Sequence, residues 1–281
     1  MKSERLLKEE RRIYFNNFFN RIIVMSPLHN TERRAYIEQH FEERGITNWE
    51  FQDAINYKLL TSDARKFLSS SGLLSEEGQP WLPLKNTQIV ACLSLLQMLQ
   101  KCRHNFWDKV LHVEDDVFFY ENYEDLFYEA VMNLPDDWDA LHFYSHIPVG
   151  CGNFNDAYRE KINDYIYKGF SEGSGAICIG FNRRAIELMF TRIFPIDSGI
   201  DGIVNTASGN WYYRHEEYTA YICKNFMCYE NRSLPNTHKA ADITERGAND
   251  AHIIPPHMTT DKQKKELESL AKTQWRREGA K

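Results

Sequence analysis

Short apolar runs alternate with longer segments of mixed polarity from residue 21 onward. The run 21–25 predicts a buried strand, and the polar-apolar pattern of 32–44 predicts a helix capped near Asn30 or Thr31. A second strand is predicted over 49–55. This β-α-β opening places its loops at the carboxyl ends of parallel strands, where open α/β sheets bind ligands.

The alternation continues through the rest of the chain. The segment 87–103 is apolar nearly all round and predicts a deeply buried helix. The segment 61–84 is rich in Ser, Gly and Pro and predicts a surface excursion with little regular structure, and 150–163 predicts a loop. Strands are predicted over 110–113, 140–144, 175–181 and 218–226, and helices over 126–132 and 183–190.

The predicted elements indicate an α/β fold with a mostly parallel central sheet flanked by helices. The main domain is predicted to span residues 21–257. Residues 1–20 are predicted to form a polar helix or extension, and residues 258–281 a basic C-terminal helix or tail. No repeat and no internal linker compels a further division.

Composition excludes several classes of protein. The 281 residues are 42% hydrophobic and 26% charged, which is typical of a globular protein. The net charge of −6 and the lack of a basic face argue against general nucleic-acid binding. The six cysteines lack C-x-x-C spacing and are expected to be reduced. Without a signal peptide or transmembrane segment, a cytoplasmic or intracellular location is expected, with a viral or bacterial source.

Three consecutive acids, Glu114, Asp115 and Asp116, follow the apolar strand 110–113. Neighbouring carboxylates resist joint ionisation, and a bound cation removes that conflict. Oxygen ligands of this kind select Mg²⁺ or Mn²⁺, held together with phosphates and water. In extended backbone, Glu114 and Asp116 would share one side while Asp115 faces the other. A solvated loop or a helix N-cap is the alternative interpretation.

The triplet and four further segments, taken in order, resemble glycosyltransferase family 25 over roughly residues 21–240. The segments are Arg21–Ser26 with Thr31–Arg34, Ala91–Ser94, Val110–Val117, Gly173–Ile179 and Ile200–Val204. Two departures indicate a divergent member. The family's buried helix begins with G-E-I-G and carries His after the Ser, whereas this chain has Thr87–Val90 and Leu95.

The resemblance implies a GT-A-type nucleotide-sugar-binding fold over residues 21–257. It implies transfer of a hexose, galactose or glucose, from a UDP-sugar to an acceptor hydroxyl with inversion, and Mn²⁺ or Mg²⁺ as the cofactor. A metal that bridges the two phosphates would stabilise the leaving diphosphate. Because family members modify lipooligosaccharides and collagen-like hydroxylysine, the expected acceptor is a glycan, a glycoprotein or another hydroxyl-bearing molecule.

The resemblance also assigns roles near the metal. Asp116 is the expected metal ligand together with Glu114, and Glu114 or Asp115 contacts the ribose or sugar of the donor. A late histidine commonly supplies a further ligand in GT-A enzymes. His238 is the candidate, with His257 as the alternative.

Other residues are assigned to the donor. Arg33 and Arg34 are expected to pair with its phosphate or base groups, although an exposed helix face explains them equally well. Ser94 belongs to the same donor-binding set. Gly173 and Gly175 would permit close approach of a sugar, or they simply form a turn.

An inverting enzyme needs a general base that deprotonates the acceptor hydroxyl as it attacks. Asp201 is the first candidate, Asp197 the second and Glu172 the third. A helix N-cap is the structural alternative for Asp201. Two other functions stay open for the chain: an inactive relative that binds nucleotide sugars, and a metal-dependent phosphoesterase or nuclease. The latter would need further ligands for two metals, and these are not apparent.

Overall fold

Helices flank a mixed sheet in the part of the chain that the computed structural model describes, residues 4–76, 83–145, 159–169, 176–204, 218–231 and 234. The strands are β1 Arg21–Pro27, β2 Trp49–Ala54, β3 Lys109–Glu114, β4 Val117–Phe119, β5 Ala140–His142, β6 Glu160–Lys161, β7 Ile166–Lys168, β8 Cys178–Asn182, β9 Ala220–Cys223 and β10 Cys228–Glu230. The helices are α1 Glu4–Phe18, α2 Thr31–Arg44, α3 Ser62–Ser70, α4 Asn86–His104, α5 Tyr123–Met132, α6 Arg183–Arg192 and α7 Ile200–Val204.

Eight of the described strands form the main sheet in the order β2-β1-β3-β8-β5-β9-β7-β6. Strands β8 and β7 run opposite to the others, and β4 pairs separately with β10. The predicted α/β class with a mostly parallel sheet between helices is confirmed, an arrangement consistent with the GT-A type. The two reversed strands were not predicted.

The β-α-β opening is confirmed, because β1 pairs in parallel with both β2 and β3. Helix α2 begins at Thr31 and ends at Gly45, whose φ of 67° is left-handed. Glycine adopts that conformation without the steric cost of a Cβ, which explains why the helix ends there. Because β1 and β3 are parallel neighbours, both strands end at the same edge of the sheet.

Aromatic side chains fill the space between one face of the sheet and the pair α1 and α5. Phe15 of α1 packs edge-to-face against Tyr123 and Phe127, with ring centroids 5.0 and 4.9 Å apart. Phe15 and Phe19 are fully buried or nearly so. The N-terminal segment, predicted as a polar helix or extension, is a helix whose apolar side contributes to this core.

Helix α4 covers the opposite face of the sheet, as its apolar sequence predicts. Ile89, Leu95, Met98 and Leu99 are fully buried there, together with Ile179 of β8. No described helix is long and apolar enough to cross a membrane.

The prediction of little regular structure over 61–84 is wrong, because α3 occupies Ser62–Ser70. Thr61 caps this helix by accepting a hydrogen bond from the amide of Ala64 at 3.2 Å. The glycines and prolines that suggested a loop follow this helix in the sequence, whereas three of the five serines lie within it. Within the predicted loop 150–163, residues 160–161 form β6, which pairs with β7.

The chain forms two compact units, Met1–Asn231 and Arg232–Lys281. In the second unit only Leu234 belongs to the described residues, so the predicted basic tail lies outside them. The predicted domain limits after residues 20 and 257 stay predictions.

Candidate active site

The acidic triplet lies where β3 leaves the sheet at its carboxyl edge. Glu114 is the last residue of β3, Asp115 and Asp116 form a turn, and Val117 begins β4. Because the extended backbone ends at Glu114, the predicted alternation of the three side chains is wrong for the two aspartates. Both of their carboxylates contact one guanidinium, that of Arg33 in the first turn of α2.

Asp115 is buried and both of its carboxylate oxygens are occupied. Oδ1 accepts a hydrogen bond from Arg33 Nη1 at 2.7 Å. Oδ2 accepts from Ser26 Oγ at 2.7 Å and from Asn30 Nδ2 at 3.1 Å. Asn30 precedes α2 as predicted, but its side chain makes no capping bond and is directed to Asp115 instead. Asp115 therefore anchors the β1–α2 connection.

Asp116 is 8% exposed, and its two carboxylate oxygens differ in their hydrogen bonding. Oδ2 accepts from Arg33 Nη1 at 2.9 Å, whereas Oδ1 is buried and makes no hydrogen bond with any of the residues that the structure describes. Burial raises the pKa of the Asp116 carboxyl to about 6; Arg33 acts against this rise, and Glu230 and Asp115 add to it. A buried carboxylate oxygen without a partner is costly unless something else completes it.

A carboxylate oxygen of this kind, such as Asp116 Oδ1, can bind a divalent cation. Mg²⁺ is usually bound by one or two carboxylates, with water and substrate phosphates completing its coordination. In the described ranges, no group of three or more His, Cys, Asp and Glu side chains forms a metal centre.

Helix α2 also holds the strand that follows the acidic turn. Tyr36 Oη donates to the carbonyl of Val117 at 3.0 Å, and burial raises the pKa of Tyr36 to about 12. The amide of Phe119 donates to His40 Nε2 at 2.8 Å. Burial lowers the pKa of His40 to about 4, so the ring stays neutral and accepts this bond. The turn is therefore fixed on both sides by one helix.

Strand β10 approaches the turn from the opposite direction. The amide of Asn231 donates to the carbonyl of Asp116 at 2.6 Å, and Glu230 is aligned with Val117. Sequence reasoning missed both residues, because nothing in the sequence shows that β10 pairs with β4. It also missed Ser26 as a site residue, although Ser26 and the triplet both lie at carboxyl ends of parallel strands, which is a usable signal.

Arg34 does not join its neighbour Arg33 at the triplet. Its guanidinium pairs with Asp53 of β2, donates to the carbonyl of Ser26 at 2.8 Å, and lies 4.5 Å from the ring centroid of Phe51. Adjacent positions on a helix point in different directions, which explains the separation. Arg34 therefore links α2 to β1 and β2.

Ser94 and Asp197 are buried. Ser94 Oγ accepts from the amide of Ile55 at 2.9 Å and donates to the carbonyl of Val90 at 2.7 Å, so its hydroxyl joins α4 to the end of β2. Asp197 is 5% exposed and lies next to Ser198, whose carbonyl faces a thiol of α4.

Five predicted residues lie outside the described residues: Glu172, Gly173, Gly175, His238 and His257. The backbone of Asp201 belongs to α7, and its side chain is also outside the described part.

Comparison with known proteins assigns this arrangement to a family. The family model "Glycosyltransferase family 25 (LPS biosynthesis protein)" matches residues 19–173, more than half of the chain. The chain belongs to glycosyltransferase family 25. The matched region of this glycosyltransferase contains α2, β3 and the acidic turn, whereas Glu230 and Asn231 lie beyond it.

Other comparisons add little to the assignment. No curated protein matches the chain. A solved structure described as the crystal structure of A197 from STIV is 13% identical, with a TM-score of 0.33 over 75% of this chain and 84% of that chain. A TM-score of this size does not by itself establish a common fold.

Proposed function

We propose that this family 25 glycosyltransferase is metal-dependent and transfers a hexose, galactose or glucose, from a UDP-sugar to an acceptor hydroxyl with inversion. The observation that supports metal dependence is Asp116 Oδ1 at the carboxyl edge of the sheet, a buried carboxylate oxygen without a hydrogen-bond partner in the described part of the chain. Mn²⁺ or Mg²⁺ would be held there, with Glu114 close by at the end of β3.

The protein's part in this chemistry is to hold the donor and stabilise charge. A bound divalent cation would neutralise the charge that develops on the leaving diphosphate. Asp116 offers a free oxygen, whereas Asp115 holds Arg33 and the β1–α2 connection in place. The turn itself is fixed by Tyr36, so the ligand oxygen needs little reorganisation when the donor arrives.

Inversion requires a carboxylate that removes the proton of the acceptor hydroxyl. Asp201 is the first candidate, and its backbone lies in α7. Asp197 is the second candidate and is buried just before that helix. The proposed acceptor is a glycan, a glycoprotein or another hydroxyl-bearing molecule.

The test is the release of UDP from a panel of UDP-sugars in the presence of Mn²⁺. We expect release with at least one donor, and a loss of about 100-fold or more in Asp116→Asn, because the variant removes the charged ligand of the metal. The matched control is Glu38→Gln, which makes the same carboxylate-to-amide change at an exposed position of α2.

The other functions give different results in this assay. Binding of UDP without release from any donor would indicate an inactive relative, and cleavage of phosphodiesters would indicate a nuclease. Turnover that is equal with Mn²⁺ and with excess chelator, and unchanged in Asp116→Asn, would contradict the proposed metal site.

A further inference from the structure

One nitrogen of Arg33 joins the two aspartates of the acidic turn. Nη1 lies 2.7 Å from Asp115 Oδ1 and 2.9 Å from Asp116 Oδ2, and the Arg33 side chain is only 11% exposed. The guanidinium is thus a cation already present at the place where a metal would bind. The inference drawn from it rests on the proposed function, since it concerns how that metal and the donor bind.

We propose that Arg33 is a resident counter-cation that opposes binding of the metal alone, so that metal and nucleotide diphosphate bind together. Asp115 is the aspartate that other residues hold in place. Its second oxygen is held by Ser26 and Asn30, so Asp115 keeps Arg33 beside the turn whatever happens at Asp116.

Arg33 and a metal would compete for the carboxylate of Asp116. A cation at Asp116 Oδ1 would share the carboxylate with Arg33, whose Nη1 donates to Oδ2 at 2.9 Å. A divalent cation and a guanidinium on one carboxylate would repel each other strongly, because the site is largely shielded from water. Arg33 therefore lowers the affinity of Asp116 for a metal that arrives without counter-charge.

A diphosphate reverses this effect. Its oxygens carry the negative charge that the metal and Arg33 both require, and a guanidinium donates readily to two phosphate oxygens at once. With UDP present, Arg33 would donate to phosphate oxygens while it keeps Asp115, and its repulsion of the metal would be screened. By linkage, metal and UDP then raise each other's affinity by the same factor, and Arg33 is a source of that coupling.

The experiment measures Mn²⁺ binding by the electron paramagnetic resonance signal of free Mn²⁺, with and without UDP. We expect Arg33→Gln to bind Mn²⁺ alone roughly tenfold more tightly than the wild type, because the competing charge is gone. The factor by which UDP tightens Mn²⁺ binding should fall in the same variant. Arg5→Gln, at an exposed position of α1, is the matched control and should change neither quantity.

A second pair of variants covers the case in which Arg33→Gln does not fold because Asp115 loses its cation. Asp115→Asn and Asp115→Asn/Arg33→Gln differ only in Arg33, and the double variant leaves no buried carboxylate at position 115. The double variant should bind Mn²⁺ alone about tenfold more tightly than the single one.

Unchanged or weaker Mn²⁺ binding on removal of Arg33 overturns this inference and leaves the proposed function intact, provided that the wild type binds Mn²⁺ with UDP. A wild type that binds Mn²⁺ neither alone nor with UDP overturns the proposed metal dependence and the inference together.

Discussion

Two buried aspartates lie at opposite edges of the same sheet, and each faces an arginine. Asp116 follows β3 at the carboxyl edge, beside Arg33, and Asp139 precedes β5 at the amino edge, beside Arg184. Burial raises the pKa of both carboxyls. Each also has one buried oxygen, Oδ1, that makes no hydrogen bond within the described ranges. An unpartnered oxygen alone therefore does not identify a binding site.

The two aspartates differ in what else they hold. Asp139 Oδ2 accepts the amide of Thr219 at 2.7 Å as well as Arg184 at 3.0 Å, so it joins the starts of β5 and β9. Among the described residues, Asp116 accepts a side-chain hydrogen bond from Arg33, which it shares with Asp115. Ligands of open α/β sheets bind at the carboxyl edge. The comparison suggests that Asp139 maintains the fold and that Asp116 is available for binding.

The largest effect on stability is expected at Asp139. Asp139→Ala removes a fully buried carboxylate that accepts from the partly buried Thr219 amide, which should lower the free energy of unfolding by about 2–3 kcal/mol. Half-exposed Arg184 can return to water, so its lost ion pair adds little. Urea denaturation measures the change. Turnover per folded molecule should match the wild type. A loss of turnover in the folded variant would contradict the purely structural role of Asp139.

Between the two edges, His112 and His142 are fully buried, and the His142 ring nitrogens make no hydrogen bond with the described residues. Burial lowers the pKa of His112 to about 4 and that of His142 to about 3. Both values lie below the unfolded pKa of about 6.5. The stability that these depressed pKa values contribute to the folded state is therefore complete above pH 6.5, and it is lost as the pH falls.

Lowering the pH from 6.5 to 5 should therefore reduce the free energy of unfolding, by about 2 kcal/mol for His142 alone. His142→Gln should flatten this dependence, as measured by urea denaturation across the range. His104→Gln is the control, since His104 is exposed on α4. A slope that is unchanged in His142→Gln would show that other groups cause the acid sensitivity.

A smaller effect is expected at Ser26, which supports the anchoring carboxylate. Ser26→Ala removes one donor from Asp115 Oδ2, and Asn30 still donates to the same oxygen. The expected loss in the free energy of unfolding is about 1 kcal/mol. A loss of 3 kcal/mol or more would mean that Asn30 does not compensate, and the double variant with Asn30→Ala would measure the coupling.

The smallest change in stability is expected for Asp116→Asn, less than about 1 kcal/mol in the metal-free protein. The variant loses an ion pair, but it also no longer buries a carboxylate whose pKa is already raised, and Arg33 keeps Asp115. Thermal or urea unfolding without metal tests this. Destabilisation as large as that of Asp139→Ala would place the two aspartates in the same structural role.

The sequence by itself predicted the elements whose local pattern is strong. The apolar run of β1, the all-round apolar α4 and the strand before the triplet were all found, because burial imposes periodicity on nearby residues. The order of motifs around Glu114–Asp116 also pointed to family 25. Helix α3 was missed because its Ser-rich composition concealed the cap at Thr61.

Only the tertiary structure decided which polar groups meet. Nothing local in the sequence shows that Arg33 bridges Asp115 and Asp116, that Asn30 serves Asp115 instead of capping α2, or that Asn231 binds the turn. These partners are separated by about 80 residues or more, and they meet because β1 and β3 are neighbours in the sheet and β10 pairs with β4. The division of labour within the triplet therefore depends on strand order, which residue patterns along one chain do not encode.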